Sequence, residues 1–393
     1  MKLAARLDRV RPSATLAIDQ RARALRAEGV DVVALAAGEP DFDTPEHIKQ
    51  ACREALDRGE TKYTAVAGTP ALRDAVATWL SAAHGIQVRP EQVMVSCGAK
   101  HSLFNLFMAL LDEGDEVIVP TPAWVSYPDL VALAGGRPVP CRTHADDGYR
   151  LRAEQVERCI TPRTRAILLN SPSNPTGAVY PRVDLEAVAQ LCLARDLLMI
   201  SDDIYRSLTY DESYFNVASL GPEVQARTVL VDGVSKAYAM TGFRIGFCAA
   251  PRELAEAMEI VQSQSTSNPT SIAQAAALEA VTGPQHCVSA MRAEFDRRRR
   301  LVGEALGAIP GVRCHLPSGA FYVFPDITAL LPAGMDDVMA AARLLDANRV
   351  AVVPGTPFGA PGHIRLSYAC ATDRLIEGVR RLSAGLAALR GES

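Results

Sequence analysis

The chain has 393 residues, 48% hydrophobic and 22% charged, enough for a large core shared between one large and one smaller domain. Its formal net charge of −4 excludes nucleic acid and acidic membrane as expected partners. Residues 1–10 lack the sustained apolar stretch of a secretory signal and no run is long enough to cross a bilayer, so a cytoplasmic setting is expected. The nine cysteines are scattered without a C-x-x-C pair and read as reduced, mostly buried thiols. The seven histidines show no paired ligand spacing, so no metal site is expected.

Residues 12–29 carry helical periodicity through Leu16, Ile18, Ala22 and Leu25, and Gly29 is a suitable C-cap. The start signal Pro12-Ser-Ala-Thr15 puts hydroxyls near that helix end. Val32–Leu35 is a short strand running into Gly38-Glu-Pro-Asp-Phe-Asp-Thr-Pro45, a shaped loop in which Gly38 is either a tight turn or a backbone donor to a carboxylate. Helices are expected from Glu46 to Arg58 and from Pro70 to Ala83, with a polar loop carrying Tyr63 between them.

From residue 91 short apolar runs alternate with helices. Gln92–Val95 is a strand, and the small-residue turn Ser96-Cys-Gly-Ala-Lys100 opens the helix His101–Leu111. Such a turn, with Gly98, Ala99 and Lys100, exposes free N–H groups that suit a phosphate, although most turns of this kind bind nothing. Glu116–Val119 is followed by a Pro-rich loop, Pro120 to Pro128, that presents Trp124 either to a planar ligand or to the core. Arg165–Leu169 delivers Asn174 in Asn170-Ser-Pro-Ser-Asn-Pro-Thr-Gly177, and Leu198–Ser201 delivers Asp202-Asp-Ile-Tyr205. A carboxylate and a phenol there are costly to bury without partners. Thr228–Val231 and Ile245–Ala250 flank Lys236 and Arg244; a lysine desolvated at a strand end becomes a nucleophile toward carbonyls, and an arginine beside it grips an anion. Right-handed crossovers in one parallel sheet bring the strand ends at Gly98, Trp124, Asn174, Asp202 and Lys236 to a single edge.

After about residue 285 the pattern becomes a smaller α+β domain. It comprises a helix Val288–Leu306, an alternating strand Ser318–Phe324, a helix Asp336–Ala347, the strands Val350–Val353 and His363–Ser367, and a final helix. The run Arg297–Arg300 lies within the first of these helices and reads as a solvated face. The expected division is a large domain over 46–285 and a small one built from 1–45 and 286–393.

A nucleophilic lysine, a buried carboxylate, an asparagine and a tyrosine, an aromatic plate and a phosphate cradle together match pyridoxal 5′-phosphate. Lys236 would form the Schiff base, Asp202 would pair with the pyridinium nitrogen, and Asn174 and Tyr205 would donate to the phenolic oxygen. Trp124 would stack on the ring, while Arg244 and the Gly98–Lys100 turn would hold the phosphate.

The stretches S-K-A-Y-A-M-T-G-F-R-I-G, N-S-P-S-N-P-T-G, S-D-D-I-Y, G-E-P-D-F-D-T-P and H-I-R-L-S-Y-A jointly resemble the class I aminotransferases, fold type I of the pyridoxal phosphate enzymes, over roughly residues 10 to 385. The subgroup it is most similar to is that of the bacterial aspartate aminotransferases. The resemblance implies an α/β fold with a mostly parallel mixed sheet flanked by helices plus a smaller α+β domain. It implies amino acid and 2-oxo acid substrates and a ping-pong reaction. It also implies that Arg365 forks the substrate α-carboxylate with a backbone donor from Gly38, and that Ser235 assists at the phosphate. Tyr63 would reach the phosphate from the partner subunit of a homodimer, and Thr15 and Lys100 would contact the distal carboxylate of an acidic substrate. Ala123 stands where the family usually has a large aromatic, a change expected to widen the site, and Phe243 replaces the usual tryptophan. The alternatives are prephenate, aromatic or alanine transamination, a β-elimination lyase, and the aminotransferase-like module of a transcription regulator.

Overall fold

The computed structural model describes residues 1–391 apart from Arg11 and Ser13. Its strands, in chain order, are β1 (Val33–Ala34), β2 (Val93–Ser96), β3 (Glu116–Thr121), β4 (Arg137–Arg142), β5 (Thr164–Asn170), β6 (Leu198–Asp202), β7 (Thr228–Gly233), β8 (Gly246–Ala249), β9 (Tyr322–Val323), β10 (Val350–Ala351), β11 (Val353–Pro354) and β12 (Ile364–Ser367). Strands β2 to β8 form a seven-stranded sheet in the order β2-β8-β7-β6-β5-β3-β4. The inner strands of this sheet are mostly apolar because both their faces are covered. Alternate residues serve different cores: Val117, Val119, Leu168 and Ile200 pack on one face, and Ile118, Ile167, Leu169 and Met199 on the other.

The mostly parallel mixed sheet that the resemblance implies is what is found, and the single parallel sheet expected from the strand pattern needs correction. β3 to β7 run parallel, but β8 is antiparallel to both β7 and β2. This reversal matters to the site. A strand that runs against its neighbours begins at the edge where they end, so the chain on both sides of the β7–β8 connection reaches that edge.

Two elements lie where the sequence pattern shows none. β4 reads Arg-Pro-Val-Pro-Cys-Arg and sits at the end of the sheet beside β3, a position that tolerates prolines because only one side of the strand is paired. The Pro-rich stretch after β3 turns helical at Ser126–Leu133, with Pro128 in the first turn, where a missing N–H costs nothing. Conversely, of the expected strand 318–324 only Tyr322–Val323 pairs in a sheet. Gly319 and Ala320 instead donate to the carbonyls of Gly177 and Leu208.

The C-terminal part packs helices His286–Gly307, Asp337–Asn348 and Thr372–Arg390 around an antiparallel sheet β11-β12-β9. β1 pairs in parallel with β10, and Val33 and Leu35 enter the same core as Phe295, Leu344, Leu366 and Leu382. The arginine run in the first of these helices is not a solvated face throughout. Arg298 and Arg299 are 5% and 1% exposed, held by Asp41 and Glu294 and by Asp211 and Asp296. The nine cysteines are free, but only Cys141, Cys192 and Cys248 are fully buried, the others being half-buried.

Candidate active site

Each functional side chain is delivered by a strand end or the turn after it. β6 ends in Asp202, which is buried and accepts from the Tyr127 hydroxyl at 2.7 Å and from the Ile204 N–H at 3.3 Å. Burial pushes its carboxyl up to about 6, against the pull of those two hydrogen bonds. β5 ends in Asn170, which donates to the Asp202 carbonyl at 3.0 Å and accepts from the Asn174 N–H at 2.9 Å, setting the turn that displays Asn174. Tyr205 lies one turn beyond Asp202, with its hydroxyl 2.9 Å from that of Tyr322.

β7 leads into Ser235 and Lys236. The Lys236 amine donates to the Gly38 carbonyl. Burial drives its pKa down to about 8; Glu39 resists this, while Arg244 and Arg365 add to it. An amine so placed is a free base far more often than a surface lysine at neutral pH.

β8 starts just after Arg244, whose backbone is left-handed at φ 57°. Its guanidinium donates to the carbonyls of Thr241 at 2.9 Å and Cys97 at 3.4 Å, and so lies across the turn between β2 and helix Ala99–Leu110. Gly98 caps that helix at φ 89°, and a Cβ there would stand 2.6 Å from Arg244 Nη2. The left-handed φ favours a glycine here, and with no Cβ the guanidinium can lie beside the helix N-terminus, an arrangement suited to an anion. Lys100 sits over the Trp124 ring at 4.6 Å, and burial followed by Arg244 lowers its pKa. Trp124 in turn stands edge-on to Tyr127 at 5.2 Å.

Arg365 comes from β12. It donates to Asn174 Oδ1 at 2.9 Å and to the Ala36 carbonyl at 2.8 Å, with the Tyr322 ring 4.3 Å beneath it. Its Nε is buried without a partner. A buried guanidinium with a spare donor is a receptor for a carboxylate.

These residues surround one cavity of about 370 Å³. Of the residues singled out from sequence, Thr15, Gly38, Ala99, Lys100, Trp124, Asn174, Asp202, Tyr205, Ser235, Lys236, Arg244 and Arg365 line it. Gly98 lies behind Arg244, and Tyr63 is 91% exposed and away from the cavity. Thr15 Oγ1 is buried with no partner. The cavity also contains Tyr127, Tyr322 and Glu39, which the sequence reading passed over. Tyr127 follows Trp124 by three residues, a helical spacing that the prolines around it obscured. Ala123 does not line this space. It is buried and borders a separate void of about 10 Å³ with Leu168, Asn170 and Tyr180. Phe243 packs on the core beneath the site.

Residues 30–382 match the family model for aminotransferase class I and II. The chain belongs to the class I and II aminotransferases. This aminotransferase is 48% identical to the aspartate aminotransferase of Geobacillus stearothermophilus over 387 residues, 97% of this chain and 98% of that one. It is 49% identical to the aspartate/prephenate aminotransferase of Thermus thermophilus, over 97% of this chain and 98% of the relative. Among solved structures, the aspartate aminotransferase from Thermus thermophilus with maleate superposes with a TM-score of 0.94 at 48% identity, covering 98% of this chain and all of that one. That from Rhizobium meliloti gives 0.94 at 45%, covering 98% and 99%. The aminotransferase therefore has the fold type I architecture, and its reaction moves an amino group between an amino acid and a 2-oxo acid. Among the described residues no helix is long and apolar enough to cross a membrane.

Proposed function

We propose that this aminotransferase uses pyridoxal 5′-phosphate and takes aspartate or glutamate as amino donor, two half-reactions alternating in one cavity. The observation that carries this reading is a buried lysine amine, its proton affinity lowered by burial, in the same cavity as the buried Asp202 carboxylate and the guanidinium groups of Arg244 and Arg365. The residues fit the cofactor. Lys236 would hold its aldehyde, Asp202 would answer its ring nitrogen, Asn174 and Tyr205 would donate to its ring oxygen, and Trp124 would cover its face. The Gly98-Ala99-Lys100 turn, Ser235 and Arg244 take its phosphate; the cradle that a Cβ at Gly98 would fill supports this. When bound, the cofactor supplies an electron sink for the carbanion at the substrate Cα.

The protein's own groups do the rest. The spare Nε of Arg365, with the Gly38 backbone, takes the substrate α-carboxylate and so orients the Cα–H. The Lys236 amine would remove the Cα proton and later return one, a task suited to an amine whose proton affinity burial has lowered. The unpartnered Thr15 hydroxyl and the exposed Lys100 ammonium at the cavity wall support a distal carboxylate as the second anchor. Relatives named aspartate/prephenate aminotransferase favour a second reading, in which prephenate is an acceptor.

The same proposal includes a homodimer with shared sites, Tyr63 being displayed rather than packed. It includes a cytoplasmic setting, in keeping with nine free thiols. It also includes the division into 46–285 and 1–45 with 286–393, supported by the pairing of β1 with β10.

The test is an absorbance-monitored panel of amino acids with the cofactor-loaded protein. Aspartate and glutamate are expected to react fastest, and Lys236→Ala to lose turnover by about 10³-fold or more together with the near-visible absorption. Ammonia release without any 2-oxo acid would instead make the protein a lyase.

A further inference from the structure

Behind the cavity lies a buried ion pair. Arg206, the residue after Tyr205, donates through Nε to Asp232 Oδ2 at 2.7 Å, with side chains only 14% and 3% exposed. The guanidinium carbon lies over Trp79, 3.9 Å from the ring centroid. The other carboxylate oxygen accepts from the Gly233 N–H at 2.7 Å. Gly233 is paired with Gly246 across the β7–β8 ladder, and Gly246 abuts the backbone of Gly98 and Ala99. The pair thus touches, in one chain of contacts, the strand ends bearing Asp202 and Tyr205, the turn bearing Lys236, and the anion cradle.

We propose that Arg206 and Asp232 are positioning residues for the amino-transfer site, holding the Lys236 turn in register with Asp202 and the cradle and cancelling a carboxylate charge beside them. The proposal rests on the pyridoxal phosphate reading above. Its physical basis is that a buried carboxylate is tolerated only when paired, and that the pairing chosen here spans two different strand ends rather than one. The surroundings supply negative charge that needs an answer. Asp203 is fully buried and accepts from Ser201 and Asn216, and Asp232 is among the groups that raise Asp202. Arg206 faces both Asp232 and Asp203. Lys236 is faced by Glu39, Arg244, Arg365 and Asp202, none of which the variants below alter; Asp232 is faced by Arg206, with Tyr238 also within its field.

Three variants test this: Arg206→Met, Arg206→Lys and Asp232→Asn. Two readouts are taken on each: the dissociation constant of the apoprotein for pyridoxal phosphate, and the pH midpoint of the bound cofactor's near-visible absorption. Thermal melting of the apoprotein reports folding separately. Arg206→Met is expected to weaken cofactor binding by about 10- to 100-fold, as substitutions behind a first ligand shell do, with Arg206→Lys recovering most of it. Asp232→Asn keeps the acceptor for Gly233 and is expected to fold. Removing one negative charge should lower its absorption midpoint by about one pH unit. If Asp232→Asn and Arg206→Met lower the melting temperature but leave both the affinity and the midpoint at wild-type values, the pair is structural only and the inference falls. Failure of the wild-type protein itself to bind the cofactor would sink the earlier reading instead.

Discussion

His84 shows how burial can dominate a residue's chemistry. Neither of its ring nitrogens has a hydrogen-bond partner, and Nε2 lies 3.8 Å from Asp203, too far for a hydrogen bond. Burial, with Arg206 adding to it, pushes its pKa down from 6.5 to about 3, so the ring is neutral in the folded protein. The unfolded chain takes up a proton below pH 6.5 that the folded chain refuses until about pH 3. Stability is therefore fully present above 6.5 and is lost as pH falls through that window. Between pH 7 and pH 5 the expected loss from this residue is about 2 kcal/mol. Urea unfolding at the two pH values checks it: in His84→Leu the difference between them should shrink by about that amount, whatever the variant does to stability at pH 7.

At the scale of elements, the site depends on how closely β8 approaches the turn after β2. An ideal Cβ on Gly246 would overlap the Ala99 nitrogen and the Gly98 carbonyl carbon, both backbone atoms that cannot swing aside. Gly242, in the turn before β8, has nothing within 4 Å of the same construction. Gly246→Ala must move either the strand or the cradle, and is expected to cost about 1–3 kcal/mol in stability as other overpacking changes do. It should also weaken cofactor binding, because the N–H groups at Ala99 and Lys100 move with the turn. Gly242→Ala should leave both quantities unchanged. Denaturant midpoints and a cofactor titration on the two variants check this; equal behaviour would show that the close packing at Gly246 plays no part.

For the whole molecule, the exposed surface carries a message about assembly. Tyr63 is 91% exposed, its ring left without packing by its own chain. If a second copy brings its Tyr63 to this cavity, Lys236→Ala and Tyr63→Ala chains are each defective, yet a mixed dimer contains one site with both groups intact. Co-refolding the two variants is expected to give more activity than the sum of the two alone. Activity no greater than that sum would mean that each chain completes its own site.

The sequence alone marked most of the residues that line the cavity and most of the buried strands that deliver them. Runs such as Arg165–Leu169 and Leu198–Ser201 are apolar throughout and end in turn formers, and the polar residue after each run has to sit at a sheet edge. That logic made Asn174, Asp202 and Lys236 legible before any coordinates. It could not reveal the direction of β8, because a short apolar run reads the same in either sense and only its neighbours β2 and β7 decide. It missed β4, whose two prolines are tolerable only at the end of a sheet. It placed Arg298 and Arg299 in water, because their carboxylate partners Asp41 and Asp211 come from distant segments. The hydrogen bond from Tyr127 to Asp202 and the approach of Tyr322 to Tyr205 and Arg365 have the same origin. Local pattern reports which side chains must be buried, and only tertiary packing decides which of them meet, since a pairing across 75 or 117 residues leaves no periodic trace in the chain.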